Sequence, residues 1–134
     1  MKKKDTRIII SIFCDYGADG LWENGGRIDC NYLLEERGFD QDFIESVQDD
    51  LEKWQCVYQG FNFYGPEEEQ TDIFRSGRFV IFEALGRKIW KAFLVFFEEN
   101  PEYQDKFILE FFDEGTAKRI RAPWCPKTKE EDDR

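Results

Sequence analysis

The side chains that could do chemistry in this chain are mostly carboxylates. The chain has 29 Asp and Glu against 19 Lys and Arg, and it has no histidine, which is the commonest general base in enzymes. Two-carboxylate chemistry needs two acids in one cleft with separated pKa values, and no motif in the sequence pairs acids in that way. Serine and cysteine nucleophiles lack a histidine that would activate them. The sequence therefore predicts no catalytic residues and a protein that is not an enzyme.

Metal and phosphate sites are not favoured either. The loop Asp15–Gly20, with Glu23, could offer oxygen ligands to a divalent cation, but it lacks the order of acids in an EF-hand, so a turn is the preferred interpretation. The glycines of this region form neither a GxGxxG pattern nor a P-loop. The cysteines fit no zinc spacing, and reduced thiols in a cytosolic protein are favoured over disulfides. They are Cys14, Cys30, Cys56 and Cys125. We expect no cofactor and no metal.

The negative charge is concentrated in one segment. Of the formal net charge of −10, a charge of −9 falls on residues 40–72, which hold ten acids and one base, Lys53. An acidic surface disfavours direct binding of nucleic acid, because the phosphate backbone is itself negative. Such a segment can serve solubility as a solvated face, or it can attract a cationic partner. We favour the partner, and cationic proteins include nucleases, whose active sites must hold phosphate.

The sequence predicts two long helices that carry these acids and many of the apolar core residues. Residues 39–60 place apolar side chains on one helical face, with Asp40 as the N-cap and Gly60 just after the last turn. The acids on the opposite face are Asp42, Glu45, Asp49 and Glu52. A second, mostly apolar helix is predicted from Ser76 to Glu99, where Gly86 favours close packing against a neighbouring element.

Three strands are predicted from apolar or alternating runs, and the last of them is a cationic edge strand. They cover residues 7–14, 106–112 and 117–121. Asn24-Gly25 predicts a hairpin turn with very short flanking strands, and residues 15–38 are otherwise assigned to turns. The predicted fold class is α+β, in which a small, mainly antiparallel sheet packs with two main helices.

The sequence predicts a single domain in the cytoplasm. The domain spans residues 7–122, between a flexible N-terminus at 1–6 and a solvated C-terminal tail at 123–134. No apolar run is long enough to span a membrane, and the lysines at positions 2–4 precede no signal-peptide cleavage site. We therefore expect no association with a membrane.

The order of these features resembles that of a family of small acidic bacterial proteins. The features are the Asp15–Gly17 turn, the segment Gly20–Gly25, an acidic helix that ends near Trp54, and Gly86 in an amphipathic helix. The chain is similar in these respects to toxin-immunity proteins, including those of contact-dependent growth inhibition. The resemblance implies a protein that binds a cognate toxin domain, often a nuclease, and blocks its active site or its substrate surface.

The leading hypothesis is therefore a non-enzymatic immunity protein that neutralises a cationic, nuclease-type toxin domain through an acidic patch. Trp22 and Phe63 or Tyr64 would act as apolar anchors, although Trp22 has an equally weighted alternative, which is to fold back over the edge of the sheet. The predicted partner-binding residues are Trp22, Asp42, Glu45, Asp49, Glu52, Phe63, Tyr64, Glu67, Glu68, Glu69 and Asp72. The sequence leaves the oligomeric state open.

Two other functions stay open. A nucleic-acid mimic that antagonises a host DNA-binding system would need carboxylates at phosphate-like spacing over a long surface. An ordinary cytosolic domain would carry the same acids as a solvated face. If the protein is such an ordinary domain, a deep pocket lined by carboxylates with perturbed pKa values would indicate that it is an enzyme.

Overall fold

A five-stranded mixed sheet, in the strand order β3-β2-β1-β4-β5, forms the centre of the protein. The computed structural model describes residues 6–16, 18–61, 73 and 75–126. Along the chain its elements are β1 (Ile8–Ile12), β2 (Leu21–Glu23), β3 (Gly26–Arg27), α1 (Cys30–Glu36), α2 (Gln41–Gln59), α3 (Gly77–Glu99), a 3-10 helix (Pro101–Asp105), β4 (Phe107–Asp113) and β5 (Lys118–Arg121). The predicted α+β fold class is confirmed.

The sheet is mainly antiparallel, as predicted, with one parallel pair at its centre. β1 and β4 run parallel, with Ile8 opposite Phe107 and Ile12 opposite Phe111, and the other three pairings are antiparallel. A parallel pair needs a long crossover, and here the helices lie in the chain between the two strands. Among the described residues β5 pairs only with β4 and ends the strand order, so the cationic edge strand is confirmed.

The two long helices pack antiparallel on one face of this sheet. Phe43 of α2 stacks on Phe96 of α3 with ring centroids 4.2 Å apart, and Tyr58, at the other end of α2, contacts Phe82 at 5.9 Å. Trp54 of α2 stacks over Phe111 of β4 at 6.2 Å. The core between helices and sheet includes several side chains that are completely shielded from solvent. Among them are Ile10, Ile12, Leu21, Ile89, Phe93, Phe97 and Leu109.

Gly86 lies where α3 crosses Trp54, and the predicted close packing at this position is confirmed. A Cβ atom at residue 86 would lie 2.9 Å from Trp54 Nε1 and 3.3 Å from Phe111 Cζ. Ser76 caps α3 as predicted, because its hydroxyl accepts a hydrogen bond of 3.2 Å from the amide of Phe79. Gly60 follows α2 with φ of −77°, so it ends the helix in a right-handed conformation and not in the left-handed one that a glycine after a helix often adopts.

The assignment of residues 15–38 to turns was wrong in its second half, since α1 occupies Cys30–Glu36. Asp29 caps this helix, and its carboxylate accepts a hydrogen bond of 2.9 Å from the amide of Tyr32. Leu33 and Leu34 are its buried residues. A helix of seven residues with two adjacent buried leucines shows almost no periodicity of 3.6, which is why the pattern did not reveal it.

The packed part of the chain extends a few residues beyond the predicted limit at residue 122. Trp124 stacks on Phe97 with centroids 6.3 Å apart, and Cys125 is buried. The start of the predicted solvated tail therefore covers part of the core, while residues 127–134 and 1–5 lie outside the described residues. In the described part of the chain, no helix combines the length and the apolarity needed to cross a membrane.

Candidate functional site

Four carboxylates form an exposed stripe on α2, and we call them the acidic face of α2. They are Asp42, Glu45, Asp49 and Glu52, all of them exposed. The stripe faces solvent because the opposite side of the helix packs into the core. The core residues on that side are Phe43, Val47, Leu51, Trp54 and Tyr58. No cation of the described residues forms an ion pair with any of the four acids.

Asp50, a neighbour of these four acids in the same helix, has a different environment. Its side chain is only 15% exposed, and Lys88 of α3 lies 3.1 Å from its carboxylate. The ion pair explains why an acid is tolerated at the border of the apolar face of α2, since the lysine compensates the charge. Asp50 therefore belongs to the packing of the two long helices and not to the acidic face.

The remaining predicted acids and two of the predicted aromatic anchors belong to the segment between Phe61 and Ile73. They are Phe63, Tyr64, Glu67, Glu68, Glu69 and Asp72, and they lie outside the described residues. The described residues on either side, Phe61 and Ile73, are both buried, and Phe61 packs against Phe79 and Phe82 of α3.

Trp22, predicted either as an apolar anchor for a partner or as a cover for the edge of the sheet, is buried in the structure. Its side chain is only 8% exposed and stacks on Phe13 with centroids 4.4 Å apart. The indole Nε1 donates a hydrogen bond of 3.1 Å to the backbone carbonyl of Phe13, and the guanidinium of Arg27 lies over the ring at 5.7 Å. A ring held in this way covers the sheet and offers little surface to a partner. The structure therefore supports the alternative interpretation, in which Trp22 folds back over the sheet.

A second feature, which the sequence did not indicate, lies on the sheet face opposite to the two long helices. Here Ser11, Glu110 and Arg121 occupy neighbouring strands, with Ser11 paired to Glu110 and Glu110 paired to Arg121. The Ser11 hydroxyl donates a 2.6 Å hydrogen bond to Glu110 Oε1, and Arg121 Nε donates one of 3.2 Å to Glu110 Oε2. The register between β1 and β4 creates this network, and the sequence had no signal for that register.

The network lies in a cleft of about 610 Å³ that also contains the ends of β1 and β4. Burial, with the charges of Asp113 and Asp15 adding to it, raises the pKa of Glu114 to about 7. Burial also raises the pKa of the Cys14 thiol far above its usual range, which keeps the thiol protonated and poorly nucleophilic. The cleft thus holds one carboxyl that can exchange a proton near neutral pH, while the Ser11 hydroxyl is committed to Glu110.

The loop considered as a cation site is held by arginines instead. Asp15 lies 3.5 Å from Arg27, and Glu23 lies 2.5 Å from Arg37. Asp15 also accepts a 2.8 Å hydrogen bond from the amide of Tyr16, in keeping with a turn. Within the described ranges, no group of three or more acidic or cysteine side chains is close enough together to hold a metal ion.

The acidic face of α2 and the sheet cleft are the two features that bear on function. The first is a surface of four carboxylates that form no ion pair among the described residues, and the second is a partly enclosed cleft with a titratable carboxyl. Comparison of the chain with protein-family models, with curated proteins and with solved structures finds no significant match.

Proposed function

We propose that the protein is a non-enzymatic immunity protein, which binds and neutralises a cationic, nuclease-type toxin domain in the cytoplasm through the acidic face of α2. The observation that carries the proposal is that four exposed carboxylates share one helical face and that none of them forms an ion pair with a cation of the described residues. Acids at positions i and i+3 or i+4 repel one another, so this arrangement costs helix stability. A cationic partner would relieve this repulsion when it binds, which adds to the binding free energy. Its charge would also make association faster than that of a neutral partner.

The size of the acidic face favours a protein as the partner over competition with DNA. From Asp42 to Glu52 the helix rises about 15 Å, which matches only a few phosphates along one strand. A nucleic-acid mimic needs a longer row of carboxylates to displace DNA from several unrelated proteins. A compact acidic patch is instead well matched to the cationic active site of one enzyme.

A genetic selection tests this function and isolates the partner in the same step. Genomic fragments from the organism that encodes the chain are expressed from an inducible promoter in cells with and without the protein. Fragments that stop growth only in its absence are collected, and their products are purified with the protein. We expect at least one basic protein domain that forms a stable complex with the chain.

Matched charge reversals connect the selection to the acidic face. We expect the double substitution Asp49→Lys with Glu52→Lys to abolish protection and to weaken binding by about 100-fold, since each opposite charge becomes a like charge. Glu98→Lys with Asp105→Lys makes the same change in net charge at exposed positions of other elements, and it should leave protection intact. Equal loss of protection in both variants, or no neutralised fragment at all, would contradict the proposal.

The sheet cleft favours a second candidate function, which is the binding of a small molecule that exchanges a proton with Glu114. Its support is the pKa of Glu114, raised to about 7 by burial, in a cleft of about 610 Å³. A screen of small metabolites by two-dimensional NMR would test it. A ligand that shifts the amide signals of Ser11, Phe112 and Glu114, and that fails to bind the Glu114→Gln variant, would support this candidate. Shifts that the variant retains would contradict it.

A further inference from the structure

A second, smaller cleft adjoins the acidic face of α2 and shares Glu52 with it. It has a volume of about 240 Å³ and lies between the loop before β2, the start of α1 and the middle of α2. Three carboxylates line it, those of Asp19, Asp29 and Glu52. Amide side chains and one thiol make up the rest of its wall, and no lysine or arginine of the described residues contributes to it.

Two residues in the wall of this cleft each have a buried amide oxygen without a hydrogen-bond partner among the described residues. Gln55 is only 5% exposed, and its amide nitrogen donates a 2.6 Å hydrogen bond to the backbone carbonyl of Asp15. That bond fixes which end of the amide is nitrogen and leaves Gln55 Oε1 unpaired among the described residues. Asn31 Oδ1 is unpaired in the same way and lines the same cleft. Because buried acceptors are rarely left unpaired, these two oxygens favour a donor from outside the described residues.

The surroundings of Cys30 show that the cleft also carries negative potential. Burial raises the pKa of the Cys30 thiol to about 11, and the charges of Asp19 and Asp29 add to the rise. A group that completes the cleft must therefore bring hydrogen-bond donors and a positive charge at the same time.

The spacing of the acceptors distinguishes a side chain from a metal ion. A divalent cation favours several carboxylates converging on one point, and no three acidic or cysteine side chains of the described residues are close enough together to provide them. A guanidinium is flat and spreads five N–H donors over a fork, so it can reach carboxylates and amide oxygens that do not converge. Lysine presents its donors from one nitrogen and fits a spread set less well.

We infer that this cleft, lined by Asp19, Asp29, Glu52 and the unpaired amide oxygens of Asn31 and Gln55, receives an arginine side chain of the cationic partner. The inference rests on the proposed function and specifies how that surface recognises its partner. Glu52 joins the two parts, because it belongs to both the acidic face and the cleft. The acidic face then provides attraction at a distance, and the cleft provides the geometric fit.

An NMR titration of the whole protein tests the inference with defined probes. N-acetyl-arginine amide should shift the side-chain amide signals of Asn31 and Gln55 and the backbone signal of Cys30, with a Kd of about 1–10 mM, as for a ligand of this size. N-acetyl-citrulline amide has nearly the same shape without the charge and should shift none of them. N-acetyl-lysine amide should bind at least several-fold more weakly than the arginine probe.

Charge-neutral variants separate the cleft from general attraction. Asp19→Asn with Glu52→Gln should weaken binding of the arginine probe about 10-fold, because both carboxylates face the cleft. Asp42→Asn with Glu45→Gln removes the same charge from the acidic face outside the cleft and should change the Kd less than about 2-fold. Circular dichroism of each variant would verify that the fold is intact.

Three results would overturn the inference. They are equal shifts of the same signals by the arginine and citrulline probes, equal weakening of binding by the two double variants, and a shift of the cleft signals by calcium chloride at micromolar concentration. Such a result leaves the proposed function standing if protection from the partner still depends on Asp49 and Glu52. Failure of the genetic selection would instead remove the function, whatever the arginine probe does.

Discussion

At the scale of single residues, Gly86 sets how closely the two long helices approach the sheet. It lies under the indole of Trp54 and beside Phe111, where a Cβ atom would be 2.9 Å from Trp54 Nε1. A glycine in the middle of a helix costs up to about 1 kcal/mol relative to alanine, so its presence needs a packing reason. The sequence indicated that such a reason existed but could not identify the indole ring.

We expect Gly86→Ala to destabilise the protein by about 1–2 kcal/mol, because overpacking against Trp54 and Phe111 outweighs the gain in helix propensity. Chemical denaturation followed by circular dichroism would measure the change. Gly77→Ala is the matched control at the first residue of α3, where nothing lies within 4 Å of the added carbon. It should be neutral or stabilising by about 0.5 kcal/mol. A stabilising Gly86→Ala would contradict the packing described for this crossing.

Glu114 should make stability depend on pH. Since burial raises its pKa from about 4.5 to about 7, the folded state binds the proton more tightly than the unfolded state does. The resulting stability is present below about pH 4.5 and is lost as the pH rises through 7. Glu114→Gln imitates the protonated form at every pH, so its Tm relative to the wild type should increase between pH 5 and pH 8.

The control for this measurement is Glu102→Gln, at an exposed position in the 3-10 helix. Its Tm relative to the wild type should stay constant over the same pH range. A Tm difference for Glu114→Gln that is also constant would show that Glu114 is not held in a buried, protonated state in the folded protein.

Residue types alone could not separate the two roles of Trp22 or reveal the network around Glu110. The sequence around Trp22 has the composition of a turn, and only the contact with Phe13 shows that the ring covers the sheet. Glu110 lies in β4, where the other residues from Phe107 to Phe112 are all apolar. Its partners, Ser11 and Arg121, are 99 and 11 residues away, so the network depends on strand register and not on local pattern.

At the scale of elements, α2 shows a conflict between helix stability and the proposed binding. Glu45 and Asp49 are separated by four residues, and Asp49 and Glu52 by three, so neighbouring turns carry like charges, and Lys53, four residues after Asp49, is the one base in α2. α3 shows the opposite arrangement, since Glu83 and Arg87 form an i,i+4 ion pair at 3.3 Å. A surface selected for stability alone would more often carry such pairs.

We therefore expect Asp49→Asn with Glu52→Gln to stabilise the protein by up to about 0.5 kcal/mol at low ionic strength, because it removes two repulsions and only one attraction, that of Asp49 to Lys53. The gain should vanish in 1 M salt, because salt screens repulsion between exposed charges. Thermal denaturation at the two salt concentrations would measure it. Glu83→Gln is the contrasting change on α3, and it should be neutral or destabilising at low salt because it removes an ion pair. Stabilisation of both variants alike would exclude local repulsion on α2 as the cause.

The sequence predicted long elements well and short ones poorly. α2 and α3 have 19 and 23 residues, so their apolar faces repeat over several turns, and Ser76 supplies a clear start signal. α1 is stabilised mainly by its Asp29 cap and by two buried leucines, which is too little pattern to detect. The parallel pairing of β1 with β4 joins segments about a hundred residues apart and has no local signature.

At the scale of the whole molecule, the fold separates a packed, aromatic-rich interior from one helix face whose four carboxylates form no ion pair among the described residues. The segment of residues 40–72 accounts for a charge of −9 out of −10, and α2 carries its described exposed part. The location of this charge is predictable, because it depends only on composition and helical spacing. The position of Glu52 at the border of a cleft with unpaired acceptors is not, since that cleft combines three separate segments.

The most direct test of the central claim is the Kd of the complex with the partner from the genetic selection, measured at 50 and at 300 mM salt. We predict that the wild type and the Glu98→Lys, Asp105→Lys variant bind with similar affinity at low salt and weaken together at high salt. The Asp49→Lys, Glu52→Lys variant should bind about 100-fold more weakly at low salt and depend less on salt. A Kd that is the same for all three proteins, or that does not change with salt, would contradict binding through the acidic face of α2.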